Sequence, residues 1–232
     1  MSRSSDAAGS GRYNAVFFDL DGTLVDTAPD MVAVLERVCA NHNLPTVDRD
    51  LARNNVSNGS VGLLRLAFPD ADDAQMKLLV EEFLDDYQQS LCIDTHIFEP
   101  LGQLLETVKQ NGRTWGVVTN KPARMTDPLL KELGIYDDAA AVVSGDTLPQ
   151  RKPHPAPLLH AAEIAGVTPA ETTYVGDASR DIEAGIAAGM GTIAVGFGYI
   201  AAGDDPQSWG ADLYAADTIA LVDAVEQALG IR

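Results

Sequence analysis

Residues 15–27 read AVFFDLDGTLVDT, and this stretch decides the fold class that we predict for the chain. Its apolar opening is typical of a buried strand. Asp19 and Asp21 follow that strand directly, and Gly22 then allows a turn. Clustered carboxylates at a strand end are costly unless a cation neutralises them, and the carboxyl end of a parallel sheet is where α/β proteins bind ligands. The stretch therefore indicates a ligand site at the end of the first strand.

The composition indicates a packed globular chain. It has 232 residues, of which 46% are hydrophobic, enough for one substantial core with or without a smaller insertion. No apolar stretch approaches the length that spans a bilayer. The N-terminal string MSRSSDAAGSGR lacks the hydrophobic middle of a secretory signal, so we expect a cytoplasmic protein whose residues 1–13 form a flexible tail.

The charge of the chain excludes one class of partner. Sixteen Lys and Arg residues against 34 Asp and Glu residues give a net charge of −18. A nucleic-acid-binding protein needs a cationic surface, so we expect no nucleic-acid partner, and we expect no membrane partner either. An enzyme that acts on phosphorylated compounds would have to concentrate its few basic residues at the substrate site.

The two cysteines, Cys39 and Cys92, fall in predicted helices and lack the spacing of a metal site. Free thiols in a reducing compartment are expected, although the sequence leaves a disulfide between them open. The sequence also leaves open whether the chain is a monomer or a homodimer.

Two kinds of sequence pattern divide the chain. Residues 28–95 carry apolar residues at helical spacing and no good strand, which predicts an all-helical insertion. From residue 96 onward, predicted strands and helices alternate, as is typical of a parallel sheet covered on both faces. We therefore predict an α/β fold, a Rossmann-like doubly wound parallel sheet formed by residues 14–27 and 96–232, with residues 28–95 as the helical insertion. The predicted strands after the first are 114–119, 141–144, 172–175 and 192–195.

Polar residues follow three further predicted strands. Thr119 and Asn120 end the string WGVVTN, Lys152 lies in SGDTLPQRKPHP, and YVGDASRD contains Asp177 and Asp181. Taken singly, these are an ordinary strand-end threonine, a surface lysine and helix-capping aspartates. Because the carboxyl ends of parallel strands share one edge of a sheet, we expect all of these side chains to converge with the first aspartate pair.

The string DLDGTLVDT and the three further sites, in their order and spacing, resemble the four motifs of the haloacid-dehalogenase-like (HAD) phosphohydrolases. The resemblance covers the chain from Ala15 to the C-terminus, including the helical insertion, which matches the cap of that superfamily. It implies that Asp19 attacks phosphorus and forms an aspartyl-phosphate, and that Asp21 protonates the leaving oxygen and then activates water. Residues 26–28 would form the hinge of the cap.

The resemblance also implies a magnesium site. Mg²⁺ would be held by Asp19, by the backbone carbonyl of Asp21 and by Asp177, with waters and a phosphate oxygen completing the coordination. Asp181 would be a carboxylate that supports these ligands.

Further implied contacts concern the phosphate and the rest of the substrate. Thr119, the Asn120 amide and Lys152 would bind the phosphate and stabilise the charge on the transferring phosphoryl group, which makes Thr119 and Lys152 catalytic as well. The polar string SNGS falls between two predicted helices of the insertion, where a loop could approach a ligand. An ordinary turn is an equally good interpretation. Candidate substrate contacts from the helical insertion are Asn58, Gly59, Arg53 and Arg65.

Members of this superfamily catalyse different reactions. Dehalogenases lack the second aspartate and the metal, whereas this chain has Asp21 and Asp177. Phosphonatases use a cap lysine to form a Schiff base, and the insertion contains only Lys77, on a strongly amphipathic stretch. A sugar phosphomutase keeps every motif and stays open as the alternative. A non-catalytic phospholigand-binding protein is disfavoured because every expected catalytic residue is present.

Four sequence strings resemble particular groups of phosphatases within this superfamily. DTAPDM (26–31) and TNKP (119–122) resemble the phosphoglycolate phosphatases. WGVVTNKPAR (115–124) and GYIAAGDDPQSWGAD (198–212) look like the bacterial enzymes that dephosphorylate N-acetylmuramic acid 6-phosphate. The resemblance therefore implies a Mg²⁺-dependent hydrolase of a small phosphorylated metabolite, either phosphoglycolate or a sugar phosphate such as N-acetylmuramic acid 6-phosphate. Tyr199 lies in the last string, and plain packing explains it equally well.

Overall fold

The computed structural model describes residues 11–231. Its main sheet has six parallel strands in the order β5-β4-β1-β6-β7-β8, and a separate antiparallel pair joins β2 to β3. In chain order the strands are β1 (Ala15–Phe18), β2 (Val25–Asp26), β3 (His96–Ile97), β4 (Thr114–Val118), β5 (Val142–Val143), β6 (Thr172–Gly176), β7 (Gly191–Val195) and β8 (Leu213–Ala215).

The helices alternate with these strands outside one long helical run. The α-helices are α1 (Ala28–Asn41), α2 (Arg49–Arg53), α3 (Gly59–Ala67), α4 (Asp73–Gln89), α5 (Leu101–Gln110), α6 (Ala123–Glu132), α7 (Ala156–Ala165), α8 (Ser179–Ala188) and α9 (Thr218–Leu229). A 3₁₀ helix, Val56–Asn58, directly precedes α3.

Strand β1 lies at the centre of the sheet, with β4 on one side and β6 on the other. Because successive side chains of a strand point to opposite faces, Val16 and Phe18 pack in the hydrophobic cluster that includes residues of α5, α6 and α9. Phe17 packs in the cluster that includes residues of α7 and α8. The sheet is therefore covered on both faces, and the predicted α/β class is confirmed.

The sequence-based prediction missed strand β8 (Leu213–Ala215) and helix α2 (Arg49–Arg53). Both are short, and only Ala215 in β8 and Ala52 in α2 are fully buried. An edge strand of three residues with one buried position carries too little hydrophobic alternation to stand out from a loop.

The helical insertion forms a cluster of its own. Helices α1 to α4 bury Leu35, Leu63 and Phe83 completely or nearly so, and two residues from the α/β part, Met125 and Tyr199, join the same cluster. The two chain segments that lead into and out of the insertion pair as β2 and β3. The predicted boundaries between the α/β part and the helical insertion, at residues 27/28 and 95/96, lie next to this strand pair.

Residues 1–10 of the predicted tail lie outside the described residues. At the start of the described chain, the amides of Gly11 and Tyr13 donate to the carbonyls of Gln227 and Ala228, at 3.3 and 3.1 Å. No helix among residues 11–231 is long and apolar enough to cross a membrane.

Both cysteines are free thiols, so the disulfide that the sequence left open does not form. Cys39 is buried in the cluster of the helical insertion, and Cys92 is half-buried.

Candidate active site

The ends of the central strands bring three carboxylates and a lysine together. Asp19 follows β1, Asp177 follows β6, and Asp181 lies in the first turn of α8. Lys152, from the loop between β5 and α7, places Nζ 2.8 Å from Asp19 Oδ1 and 2.7 Å from Asp181 Oδ1. All four residues are buried, so these charges interact with little screening by water.

Hydrogen bonds from β4, from the residues that follow it and from β6 fix Lys152. The side chain of Asn120 bonds the backbone of Lys152 twice, as donor to its carbonyl and as acceptor from its amide, each at 3.1 Å. Lys152 Nζ donates to Val118 O at 3.0 Å and to Tyr174 Oη at 2.8 Å. Burial alone would lower the pKa of Lys152, but the charges of Asp181 and Asp19 outweigh it and raise the pKa. The lysine therefore stays a cation at this position.

The three aspartates can hold a metal ion. One carboxylate oxygen from each of Asp19, Asp177 and Asp181 lies within 4.8 Å of the others. Asp177 Oδ2 accepts from Ser57 Oγ at 2.7 Å and from the Tyr199 amide at 2.9 Å. Its Oδ1 is buried and has no hydrogen-bond partner among the described residues.

Two properties of this cluster fit a small divalent cation. Burial, and then the charges of Asp19 and Asp181, raise the pKa of Asp177 to about 8. Crowded buried carboxylates of this kind are stabilised by a positive ion, and hard oxygen donors suit Mg²⁺. The unpaired Asp177 Oδ1 offers such a ligand atom.

The side chain of Asp21 points to a different set of partners. Asp21 Oδ1 lies 2.8 Å from Lys121 Nζ and accepts from Thr27 Oγ1 at 2.6 Å. Lys121 is buried, and its Nζ lies 4.7 Å from the centroid of the Tyr87 ring. Burial works against the charged form of Lys121, but the neighbouring Asp21 raises the lysine pKa. Asp21 is thus held beside the carboxylate cluster, not inside it.

The turn after β1 leaves no space for a larger residue at Gly22. Gly22 has φ +80°, a left-handed conformation that favours glycine. A Cβ atom at this position would collide with Asp177 Oδ2 and with the Tyr199 ring. The glycine therefore lets the two strand ends approach each other.

Tyr199 ties the entry of the helical insertion to the sheet. Its hydroxyl accepts from the amides of Thr27 and Ala28, at 2.7 and 2.9 Å, and donates to Asp26 Oδ1 at 2.8 Å. Arg53 forms two hydrogen bonds to the same Asp26 carboxylate, at 3.0 and 2.8 Å, and its guanidinium lies 5.3 Å from the centroid of the Tyr199 ring. Tyr199 therefore helps to attach the helical insertion to the sheet, in addition to the plain packing that the sequence analysis considered.

A cavity of about 490 Å³ lies between the strand ends and the helical insertion. The predicted phosphate ligands Thr119 and Asn120 line it on one side, and Asn58 and Gly59 line it on the other. Its polar and charged walls include Asp19, Asp21, Ser57, Asn58, Ser60, Tyr87, Thr119, Asn120, Lys121, Arg151 and Arg180. Its other walls are Met31, Val56, Gly59, Val61, Val80, Leu84, Pro122 and Met125.

Two of the candidate substrate contacts are not brought to this cavity. Arg53 is engaged with Asp26, as described above, and Arg65 donates to the carbonyl of Ala71 at 2.6 Å. Neither arginine is among the residues that line the cavity. Gly59, which does line it, has φ +68° and opens α3.

The model of the haloacid dehalogenase-like hydrolase family matches residues 16–195. The chain belongs to this family. The membership in the HAD family that the motifs predict is therefore confirmed. The matched range includes Asp19, Thr119, Lys152 and Asp177.

Relatives of this HAD hydrolase are phosphatases. It is 39% identical to an N-acetylmuramic acid 6-phosphate phosphatase of Pseudomonas putida, over 94% of this chain and 98% of the relative. It is 44% identical to a phosphoglycolate phosphatase of Xanthomonas campestris, over 86% of this chain and 90% of the relative. A crystal structure of a predicted phosphoglycolate phosphatase from Haemophilus somnus superimposes with a TM-score of 0.82 and 27% identity, covering 94% of this chain and 100% of that one. The predicted enzyme class, a phosphoric monoester hydrolase, is confirmed.

Sequence reasoning about this HAD hydrolase missed three residues of the site. Lys121 stands directly after Thr119 and Asn120 in the quoted string TNKP, so a signal was available. Arg180 lies between the two predicted aspartates of α8, and only the structure shows that it lines the cavity. Tyr87 belongs to an amphipathic stripe that predicts core packing, and its position in the cavity wall has no signal in the sequence.

Proposed function

We propose that this HAD hydrolase removes the phosphate of a small phosphorylated metabolite, either phosphoglycolate or a sugar phosphate such as N-acetylmuramic acid 6-phosphate. The observation that carries the proposal is the buried group of Asp19, Asp177 and Asp181 around Lys152, which opens into a cavity large enough for such a molecule. The names of the relatives supply the two candidate substrates.

The proposed reaction uses two aspartates in sequence. A carboxylate oxygen of Asp19 attacks phosphorus, and the bond between phosphorus and the leaving oxygen breaks as Asp21 protonates that oxygen. The aspartyl-phosphate on Asp19 is then hydrolysed by a water whose proton returns to Asp21. Asp21 suits both steps because Lys121 and Thr27 hold its carboxyl group in the wall of the cavity that Asp19 also lines, outside the metal cluster.

The metal site would be formed by the carboxylates of Asp19 and Asp177 and the backbone carbonyl of Asp21, with Asp181 in support. A bound Mg²⁺ supplies positive charge to the phosphate oxygens and offsets the repulsion among the carboxylates. Asp181 is already engaged with Lys152 and with the amide of Ala178, at 2.7 and 3.1 Å, which favours a supporting position.

The phosphate would be bound by the Thr119 hydroxyl, the Asn120 amide and Lys152. Thr119 and Lys152 are buried at the strand ends, and donors held in place in this way stabilise developing negative charge without reorganising during the reaction. Asn58 and Gly59 belong to the helical insertion and also line the cavity. They stay candidates for contact with the leaving group.

The first test measures phosphate release from a panel of phosphate monoesters at saturating Mg²⁺. We expect kcat/KM for one of the two named metabolites to exceed that for the remaining esters. A chelator should abolish turnover, Mg²⁺ should restore it, and Ca²⁺ should inhibit because it prefers more ligands at longer distances. Full activity in the chelator would falsify the assigned metal site.

The matched variant for this test is Asp19→Asn. An amide cannot form the aspartyl-phosphate, yet it has nearly the volume of the carboxylic acid, so turnover should vanish while circular dichroism and thermal unfolding still report a folded protein. A folded variant that keeps a substantial fraction of wild-type turnover contradicts the mechanism.

A further inference from the structure

Cations of two kinds lie in or beside the cavity. Lys121, in its wall, lies 2.8 Å from the half-buried Asp21 carboxylate, and Lys152, behind the wall, lies 2.8 Å from the buried Asp19 carboxylate. Arg151 and Arg180 line or border the same space, and neither has a carboxylate oxygen within 4.0 Å among the described residues. Neither guanidinium group is therefore neutralised by a direct ion pair, although the charges of Asp181, Asp19 and Asp177 act on Arg180 from a greater distance.

Both arginines are fixed by neutral groups. Arg151 Nε donates to the carbonyl of Gly145 at 2.6 Å, and Arg180 Nη2 donates to the carbonyl of Ser57 at 2.6 Å. A guanidinium group has five N–H donors, so each side chain keeps most of its donors and its full charge. Arg180 is half-buried and reaches from α8 to the helical insertion, since Ser57 belongs to the 3₁₀ helix before α3.

The two long helices of the insertion contribute no charged side chain to the cavity lining. The side chains that helices α1 and α4 contribute to it are Met31, Val80, Leu84 and Tyr87. A leaving group in this space therefore meets both these largely apolar side chains and the two arginines.

We propose that Arg180 and Arg151 bind a carboxylate group in the leaving portion of the substrate, so that the enzyme selects phosphate monoesters that also carry a carboxylate. The planar guanidinium fork matches a carboxylate better than any other side chain does. The inference rests on the proposed phosphatase function, in which the phosphate itself is bound by Thr119, Asn120 and Lys152. Phosphoglycolate and N-acetylmuramic acid 6-phosphate differ greatly in size, and a carboxylate is what they share.

The test uses two pairs of substrates that differ in the carboxylate. Phosphoglycolate is compared with 2-hydroxyethyl phosphate, and N-acetylmuramic acid 6-phosphate with N-acetylglucosamine 6-phosphate. In at least one pair, wild-type kcat/KM should favour the carboxylated member about tenfold or more, the effect of one charge-assisted hydrogen bond. Arg180→Gln should remove most of this preference, chiefly through a higher KM, and Arg180→Lys should retain part of it.

The control variant is Arg49→Gln. Arg49 is an exposed arginine of the helical insertion, paired with Glu36 and absent from the cavity. Its replacement should leave the preference of both pairs unchanged. If Arg180→Gln lowers kcat/KM equally for both members of each pair, the arginine contacts the phosphate and the inference is wrong. The inference is also wrong if wild type hydrolyses both members of each pair with equal kcat/KM.

Equilibrium binding separates this inference from the phosphatase proposal. Calorimetric titration of the Asp19→Asn protein, which should not turn substrate over, measures the affinity for each member of a pair directly. A tighter complex with the carboxylated member, lost in the Asp19→Asn, Arg180→Gln double variant, supports the carboxylate site even if wild type hydrolyses none of the esters. Equal affinities for both members contradict it even if wild type is an active phosphatase.

Discussion

At the scale of single residues, the ion pair between Lys121 and Asp21 has the clearest chemical consequence. Asp21 is the proposed acid, and Lys121 and Thr27 hold its Oδ1 at 2.8 and 2.6 Å. Lys121 is itself buried, with its Nζ over the ring of Tyr87. Among the described residues, Asp21 is the one carboxylate within ion-pair distance of it. Lys121 therefore acts on the reaction through the position of Asp21.

Lys121→Met should lower kcat for an alkyl phosphate by roughly tenfold to a hundredfold, less than the loss expected when a general acid is removed outright. The loss should be smaller for p-nitrophenyl phosphate, whose leaving group needs little protonation. The control is Lys77→Met, on the exposed face of α4, which should change neither rate. Equal losses on both esters would show that Lys121 contacts the phosphate and does not position the acid.

The motif residues of the site were predictable because their chemistry is tied to strand ends. Asp19, Thr119 and Asp177 follow apolar runs that are typical of buried strands, and parallel strands place their ends together. Arg180 and Tyr87 could not be found in this way. Arg180 lies in the first turn of α8, and Tyr87 belongs to the amphipathic pattern of α4. Whether either side chain lines the cavity depends on how the helical insertion packs against the sheet, and no local sequence pattern predicts that packing.

At the scale of elements, the short β2–β3 pair and Asp26 control how the helical insertion is attached. The Asp26 carboxylate accepts hydrogen bonds from Arg53 of α2, from Tyr199 and from the Ala28 amide that begins α1. Burial by itself raises the pKa of Asp26, but the hydrogen bonds from Arg53 and Tyr199 outweigh it and hold the pKa below its ordinary value of 3.8.

A lowered carboxyl pKa makes a contribution to stability that depends on pH. For Asp26 it is fully present above the unfolded-state pKa of 3.8 and is lost as the pH falls through the lower folded-state pKa. Asp26→Asn should therefore reduce the free energy of unfolding at neutral pH by about 1 kcal/mol, since Arg53 is partly exposed and solvent screens the pair. The difference from wild type should shrink in acid.

Denaturant unfolding across the acid range measures this difference. Asp70→Asn is the matched control, because Asp70 is exposed and makes no ion pair among the described residues. The control should unfold with the wild-type free energy. A stability loss in Asp26→Asn that stays constant down to the most acidic pH would contradict the ionic role of this carboxylate.

The main helices and strands could be predicted because they are long or wholly buried. Strands β1, β4, β6 and β7 fall within or beside the predicted ranges, and nearly all of their residues are buried. The β2–β3 pair has two residues on each side and gains its stability from tertiary contacts such as the one with Tyr199. Two residues are too few to show the alternation of buried and exposed side chains that identifies a strand, so the sequence could not predict the β2–β3 pair.

At the scale of the whole molecule, the net charge of −18 opposes the approach of any phosphorylated substrate. Four of the 16 basic residues lie in or beside the walls of one cavity: Lys121, Lys152, Arg151 and Arg180. Long-range repulsion and short-range attraction therefore act on the same ligand, and dissolved salt screens the long-range part first.

We expect kcat/KM for a phosphate dianion to rise severalfold when the ionic strength increases from about 0.01 M to about 0.15 M, as the Debye length falls from about 30 to about 8 Å. Initial rates at saturating Mg²⁺ and several NaCl concentrations test this, with osmotically matched sucrose as the control. A fall in kcat/KM over the same range would show that the cavity cations dominate at long distance.

Because β2 and β3 lie side by side, the helical insertion leaves the sheet and returns to it at two adjacent points. A segment joined to its host in this way can be exchanged for another, or shortened to a tight turn, without moving the strands that hold Asp19 and Asp177. A lineage built on this plan can acquire new substrates by replacing the inserted module, while the phosphorus chemistry is inherited unchanged.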